Sequence, residues 1–293
     1  MFREDFVWGV ASSAYQVEGT DAADGRGACV WDMFAADGRV FEHQNAGTSC
    51  DHMHHYKEDI ALMKHLGIRA YRFSLNWARI LPEGTGRVNE KAIAMYRDMI
   101  LTMKENGITP YLTLFHWEFP QALYERGGWQ NPDVVQWFGE YAKVVAENFS
   151  DICEYFITIN EPQCVVGLGH LSGVHAPGVK LPVAQTFLVA HHLLMAHGQA
   201  VINLRRYAVR PVKIGFAPTG GVAYPYTDRP EDIEAAKKVY FGFYNPIDNW
   251  TWNVSWFSDP VFLGHYPRGG AEKICAVSSG DHTGGYGADL SAA

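Results

Sequence analysis

The sequence has no excess of positive charge, no membrane-length apolar run and no paired cysteine motif. Its 293 residues include 24 Lys and Arg against 32 Asp and Glu, and the formal net charge of −8 argues against nucleic acid as a main partner. No apolar run approaches the roughly 20 residues of a membrane span, so no membrane partner is expected. The five cysteines form no CxxC pair, which favours free thiols in a reducing compartment.

Two further motifs are missing from the chain. A secretory signal peptide needs an apolar stretch near the amino terminus, where this sequence has Glu4 and Asp5. A doubly wound nucleotide-binding fold needs a glycine-rich turn between a strand and a helix, and Gly25-Arg26-Gly27 does not stand in that context. We therefore expect a soluble, cytoplasmic protein that is not built around a dinucleotide.

Histidines cluster once, at His52, His54 and His55, in the first turn of a predicted helix. No carboxylate or cysteine completes a metal site at a recognisable spacing, so a solvated helix face is the favoured interpretation. Neither a metal nor an organic cofactor is required by any residue pattern.

The segments that are present alternate between strand and helix, after a first part in which residues 21–50 look irregular. Apolar runs predict strands at 6–11, 68–77, 109–117, 153–160 and 212–218. Amphipathic stretches predict helices from Asp51 to the stop at Gly67, and at 89–106, 132–148 and 184–207. Five strands joined by segments long enough to be crossover helices predict a parallel α/β architecture.

Polar or aromatic residues recur just after the predicted strands, at Gln16, Trp77, His116 and Glu161. The sharpest case is Tyr155–Pro162, where a buried strand ends in Asn-Glu-Pro. One interpretation is a turn in which the amide or carboxylate only caps the next helix. The repetition after several strands favours the mouth of an α/β barrel, where strand ends collect functional groups.

Several motifs occur together in one order along the chain. They are Phe6-Val7-Trp8-Gly9, Ala14-Tyr15-Gln16-Val17-Glu18-Gly19, Tyr56-Lys57-Glu58-Asp59-Ile60, Tyr71-Arg72-Phe73-Ser74, Phe115-His116-Trp117, Asn160-Glu161-Pro162, Gly173-Val174-His175-Ala176-Pro177-Gly178 and Asp259-Pro260-Val261-Phe262. This ordered set, spanning residues 1 to about 267, strongly resembles glycoside hydrolase family 1, the β-glucosidases and their relatives. The fold class that the resemblance implies is α/β, an incomplete (β/α)8 TIM barrel with about five of its eight units.

The resemblance implies a retaining hydrolysis by two carboxylates about 5 Å apart. Glu161 matches the acid/base that protonates the leaving oxygen and then deprotonates water. Gln16, His116 and Asn160 match residues that hydrogen-bond the glycone hydroxyls. Trp117 matches a residue that forms an apolar wall, and Arg72 matches an arginine that supports the nucleophile. The expected partner is a small-molecule β-glycoside or oligosaccharide.

The sequence departs from the family pattern at three places. Gln163 stands where the family usually has Trp, and Glu118 where it usually has Asp. The Glu of a Thr-Glu-Asn-Gly type motif, which is the family's nucleophile, is not found in the chain. Without it, no glycosyl-enzyme intermediate is expected to form.

The segment 268–293 is rich in Gly, Ala and Ser and has no resemblance to the family. Synonymous codons can be chosen for it so that reading one base later gives EEGLRKYAQYLPEITPEDMALISAQ, the kind of continuation that the family leads one to expect. We interpret residues 1–267 as the N-terminal part of a family 1 barrel and residues 268–293 as a frameshifted tail, with a natural low-complexity tail as the alternative. The nucleotide sequence after the Pro267 codon decides between them.

Five strands cannot close an eight-stranded barrel, so exposed strand edges and poor solubility are expected of this chain. It is expected to be nearly inactive, whereas a version restored to the other frame is expected to hydrolyse an aryl β-glucoside. Two alternatives stay open. One is a 6-phospho-β-glycosidase, and the other is a non-catalytic sugar-binding remnant, which glucose binding without turnover would favour.

Overall fold

The structure, a computed structural model, describes residues 2–20, 22–241 and 250–270. Within these residues one sheet contains five strands, each paired in parallel with the next along the chain. The strands are β1 (Gly9–Ala11), β2 (Ala70–Ser74), β3 (Thr109–Phe115), β4 (Tyr155–Asn160) and β5 (Lys213–Ala217). The predicted parallel α/β architecture is confirmed, with each strand shorter than the apolar run that predicted it.

Helices occupy the segments between the strands. They are α1 (Ala14–Val17), α2 (Val30–Ala36), α3 (His52–His65), α4 (Trp77–Ile80), α5 (Glu90–Glu105), α6 (Gln121–Tyr124), α7 (Val134–Phe149), α8 (Pro162–Cys164), α9 (Val183–Tyr207), α10 (Pro230–Phe241) and α11 (Val254–Phe262). Single turns of 3-10 helix lie at Phe41–His43, Gly128–Gln130 and Trp250–Trp252, and a π-helix at Val165–Leu171. No helix of the described residues is long and apolar enough to cross a membrane.

The ends of the long helices follow local sequence chemistry. Before α5, the Asn89 side chain accepts a hydrogen bond from the Ala92 N–H, and after it Gly107 adopts φ +75°, which glycine reaches without steric cost. Before α3, Asp51 stands at the predicted cap position, but its side chain caps no backbone N–H. Its carboxylate instead pairs with the ring of His54 at 2.6 Å.

Residues 21–50 were predicted to be irregular, and the structure corrects this by placing α2 there. The Asp32 carboxylate accepts the Cys29 N–H at 2.7 Å, which satisfies one of the free donors at the start of this helix. The helix is short and its apolar residues show no helical period, so the sequence pattern gave no sign of it. His52, predicted on a solvated face, is buried and pairs with Asp59 at 2.6 Å.

An aromatic cluster forms the centre of the core. Trp77, predicted at the barrel mouth, is fully buried here and its indole N–H donates to the Gly84 carbonyl at 2.9 Å. It stacks on Tyr141 with ring centroids 5.1 Å apart and meets Phe138 at 5.4 Å. Burial of three large rings is worth several kcal/mol, so Trp77 contributes to folding and not to the mouth.

The chain divides into two compact units. The first comprises Met1–Asn160 and Met195–Ala217 and contains the whole sheet. In the described residues β1 pairs only with β2, and β5 only with β4, so this is an open part of a barrel. The second comprises Glu161–Leu194 and Pro218–Ala293, and its core includes Phe187 packed on Trp250 and Trp256. Beyond residue 270, the predicted frameshifted tail lies outside the described residues.

Candidate active site

Four polar side chains of the first unit meet along β2, β3 and β4, toward the ends of these strands. Arg72, on β2, donates from Nη2 to the Asn160 Oδ1 at 2.5 Å and from Nε to the Thr113 Oγ1 at 2.9 Å. The Asn160 amide nitrogen lies 3.2 Å from the His116 Nε2. The three residues that the sequence placed on separate strands are therefore brought together, and we call Arg72, Thr113, His116 and Asn160 the strand-end network.

The bonds of this network fix the state of His116. Because the Arg72 guanidinium can only donate, the Asn160 Oδ1 faces it and the amide N–H2 faces His116. The imidazole Nε2 then accepts, which leaves its proton on Nδ1. Burial, and secondly the Arg72 charge, lower the pKa of His116 to about 4. His116 is therefore a neutral imidazole throughout the physiological range.

Trp117 follows His116 in an unusual backbone conformation with φ +82°. Its indole N–H donates to the Asn160 carbonyl at 3.1 Å, and its ring is half-buried. A non-glycine residue in this region stores strain, which clusters at functional sites. The predicted role of Trp117 as an apolar wall for a sugar stays a prediction; the contact observed is with the peptide that precedes Glu161.

Glu161 itself is the first residue of the second unit and also has a left-handed backbone, with φ +43°. It immediately precedes α8, which Pro162 opens, yet its side chain makes no capping hydrogen bond. The Cys164 thiol donates to the Glu161 Oε2 at 3.5 Å. Partial burial lowers the pKa of His175, while the negative charge of Glu161 acts in the opposite direction. The cap-only interpretation of Glu161 is therefore not what its side chain does.

Gln16 lies in α1 of the first unit with an exposed side chain. Its backbone carbonyl accepts the Ser49 hydroxyl. Among the described residues, no hydrogen bond joins the Gln16 side chain to the strand-end network. The role of Gln16 toward a glycone hydroxyl stays a prediction, as do the roles of the other site residues.

Both nearby departures from the family pattern occupy buried positions. Gln163 donates from its amide to the Thr219 carbonyl at 2.6 Å and accepts the Thr219 N–H at 3.1 Å. The side-chain amide thus pairs with the Thr219 backbone through two hydrogen bonds, as a residue of a neighbouring strand would. Glu118 accepts the Tyr15 N–H at 2.8 Å, and its Oε2 has no hydrogen-bond partner in the described part of the chain. Burial raises the pKa of Glu118 to about 8.

Two contacts of the site were missed from the sequence. Thr113 gave no signal because it reads as one more β-branched strand residue, although the register of β2 with β3 places it two pairs beyond the level of Arg72. Cys164 was assigned to a loop, whereas the helix that starts at Pro162 brings it back to Glu161. No group of three or more potential metal ligands exists within the described ranges.

Five parallel strands with crossover helices have the architecture of part of an α/β barrel, and the polar network toward the strands' carboxyl ends lies where such barrels carry their sites. The family model described as "Glycosyl hydrolase family 1" matches residues 1–280, and the chain belongs to this family.

Relatives named as β-glucosidases match most of the chain. It is 41% identical over 268 residues to "Beta-glucosidase A" of Acetivibrio thermocellus, covering 91% of this chain and 57% of that protein. It is 43% identical over 268 residues to "Beta-glucosidase A" of Thermotoga maritima, covering 91% and 58%. A solved structure of the Thermotoga maritima β-glucosidase in complex with deoxynojirimycin has a TM-score of 0.81 at 42% identity, over 91% of this chain and 58% of that one. The chain thus spans less than three fifths of these relatives.

Proposed function

We propose that the protein to which this chain contributes is a β-glucosidase that hydrolyses terminal β-D-glucosides with retention of configuration. The observation that carries the proposal is the strand-end network, which ends at Asn160, the residue directly before Glu161. Family membership supplies the reaction class. The small-molecule β-glycoside substrate and the cytoplasmic location are part of the same proposal.

In this proposal Glu161 is the acid/base. Protonated, it transfers its proton to the glycosidic oxygen as the bond to the leaving group breaks. Ionised, it takes a proton from the water that releases the sugar from a second carboxylate, the nucleophile. That second carboxylate is predicted to be absent from residues 1–293, and this remains a prediction about the sequence.

The remaining residues bind and orient the sugar. Asn160, held by Arg72, is proposed to hydrogen-bond the 2-hydroxyl, and neutral His116 is proposed to bind the other glycone hydroxyls together with Gln16. Trp117 forms the apolar wall. Arg72 is proposed to support the nucleophile by its charge.

Substitution of Glu161 tests the proposal in the version of the protein read one base later after Pro267. Glu161→Gln removes the proton donor, so turnover of phenyl β-glucoside should fall by about 10²–10⁴-fold. The dinitrophenyl glucoside needs no protonation to leave, so its first step should survive, and azide should accelerate release as the β-glucosyl azide.

The control is Glu154→Gln, which changes an exposed glutamate just before the same strand. It should retain wild-type turnover of both glucosides. Unaltered phenyl glucoside hydrolysis by the Glu161→Gln protein contradicts the assignment of Glu161.

A further inference from the structure

Cys164 holds Glu161 at two points. Its backbone N–H donates to the Glu161 carbonyl oxygen at 3.0 Å, and its thiol lies 3.5 Å from the Glu161 Oε2. Both residues belong to the second unit, and the thiol-bearing residue is only 8% exposed. Because the two contacts act on the backbone and on the side chain of one residue, they restrict where the carboxylate can lie.

This geometry results from the way α8 begins. Pro162 suits the first helical position because its missing N–H has no partner to lose there. Cys164 is then the third residue after Glu161, the position from which a side chain reaches back over the start of a helix. A cysteine three residues farther along an extended chain would be out of reach.

The thiol stays protonated and is therefore the donor of this hydrogen bond. Burial, and secondly the negative charge of Glu161, raise the pKa of Cys164 to about 12. The bond is thus S–H to carboxylate, with the thiol as donor and Glu161 Oε2 as acceptor. In the described part of the second unit, the charge of Glu161 also acts on His175.

We propose that Cys164 is a positioning residue that holds the Glu161 carboxylate for the base step of the reaction. The inference rests on the proposed function. An acid/base must give up and take back its proton in each turnover. A strong charge-assisted donor would stabilise the ionised carboxylate so much that it would rarely be protonated. A thiol is a weak donor and fixes the orientation of the carboxylate without preventing its protonation.

Titration of the Glu161 side chain tests this in the 293-residue chain, without requiring turnover. Glutamate labelled with ¹³C at the carboxyl carbon gives one resonance that disappears in Glu161→Gln, which assigns it. Cys164→Ala should move the midpoint of this resonance to higher pH by about half a unit, since a neutral hydrogen bond to the ionised form is lost. Cys164→Ser, which restores a donor, should return it toward the wild-type midpoint.

The matched control is Cys153→Ala. Cys153 is also buried, and its thiol donates to the carbonyls of Pro110 and Tyr155 in the first unit. It should leave the Glu161 titration unchanged. A midpoint that does not rise in Cys164→Ala overturns the inference, as does an equal rise in Ala and Ser, which would indicate packing alone.

Turnover separates this inference from the proposed function. In the frame-restored protein, the alkaline limb of the kcat/KM profile should move with the midpoint in Cys164→Ala. Full turnover of phenyl β-glucoside by the Glu161→Gln protein contradicts the proposed function. If Glu161→Gln abolishes turnover but the alkaline limb does not move in Cys164→Ala, only the role of Cys164 is contradicted.

Discussion

Arg72 and Arg79, two arginines of the sheet-containing unit, lie seven positions apart in the sequence but have different surroundings. Arg79 is 3% exposed and donates to Glu18, Asp24 and the Gly19 carbonyl. The Glu18 carboxylate is also 4% exposed and accepts the Tyr96 hydroxyl at 2.7 Å. We call these residues the buried ion network; its arginine and glutamate are saturated by protein groups.

The strand-end network around Arg72 is less complete. Arg72 is half-buried, and the Nδ1 of His116, though buried, has no hydrogen-bond partner among the described residues. In a saturated interior network, removal of the arginine or of the glutamate leaves its partner's charge buried and poorly compensated, which destabilises the fold. A network with an unused donor near the end of a strand, here the Nδ1 of His116, is suited to a ligand that completes it. We expect this difference to separate Arg79, a structural arginine, from Arg72, the arginine that is proposed to act at the site.

Loss of Arg79 should give the largest effect on stability. Arg79→Met leaves the Glu18 carboxyl buried with only the Tyr96 hydroxyl, and we expect the free energy of unfolding to fall by about 3–5 kcal/mol. Urea unfolding followed by tryptophan fluorescence measures the change.

Arg97→Met is the matched control, since Arg97 pairs with Asp151 at 2.6 Å on the surface and both side chains are a third or more exposed. Solvent-exposed pairs contribute little, so this variant should lose no more than about 1 kcal/mol. Equal losses in the two variants would remove the distinction between the buried ion network and a surface pair.

Glu118 sharpens the comparison, because it is fully buried yet incompletely satisfied. Its pKa is raised from 4.5 to about 8 by burial. Because this pKa is higher in the folded than in the unfolded state, the contribution of the Glu118 carboxyl to stability is fully present below pH ~4.5 and declines as the pH rises toward 8. Glu118→Gln should therefore gain stability over wild type, and the gain should be about 2–4 kcal/mol larger at pH 8.5 than at pH 5.5.

Urea unfolding at these two pH values measures the gain, with Glu83→Gln as the control at an exposed glutamate. The control should show no difference between the two pH values. A Glu118→Gln protein whose advantage is the same at both would mean that this carboxyl is not held protonated in the folded state.

The sequence predicted the sheet because strand and helix periodicities are local properties. All five strands and four long helices lie where apolar runs and caps placed them. Helices α10 and α11, which follow the last predicted strand, were not predicted. Neither were the short helix α2, which shows no helical period, and α8, which lies in a segment interpreted as a glycine-rich loop. These short helices depend on single contacts, such as the Asp32 carboxylate at the Cys29 N–H.

The residues of the site were predicted one by one, but their arrangement was not. Arg72, His116 and Asn160 were named, yet the donor–acceptor order that makes His116 a neutral acceptor follows only from the three-dimensional contacts. Thr113 and Cys164 have no distinctive pattern, because a strand threonine and a buried cysteine are common in any core. Trp77 was placed at the mouth although it is a core residue, since an aromatic side chain after a strand suits both positions.

The smallest effect concerns the charge that links Arg72 to His116. Arg72→Met removes a cation that lowers the pKa of His116, so this pKa should rise from about 4, yet stay below 6.5 because burial is the larger cause. The free energy of unfolding should fall by less than about 2 kcal/mol in this variant, since the site is half-buried and the lost hydrogen bonds are individually weak. Histidine Cε1–H resonances followed by NMR against pH measure the pKa. His197, whose pKa is also lowered to about 4 but by burial alone, should not move. An unchanged His116 would show that Arg72 does not set its charge state, and a joint rise of both histidines would show general loosening of the core.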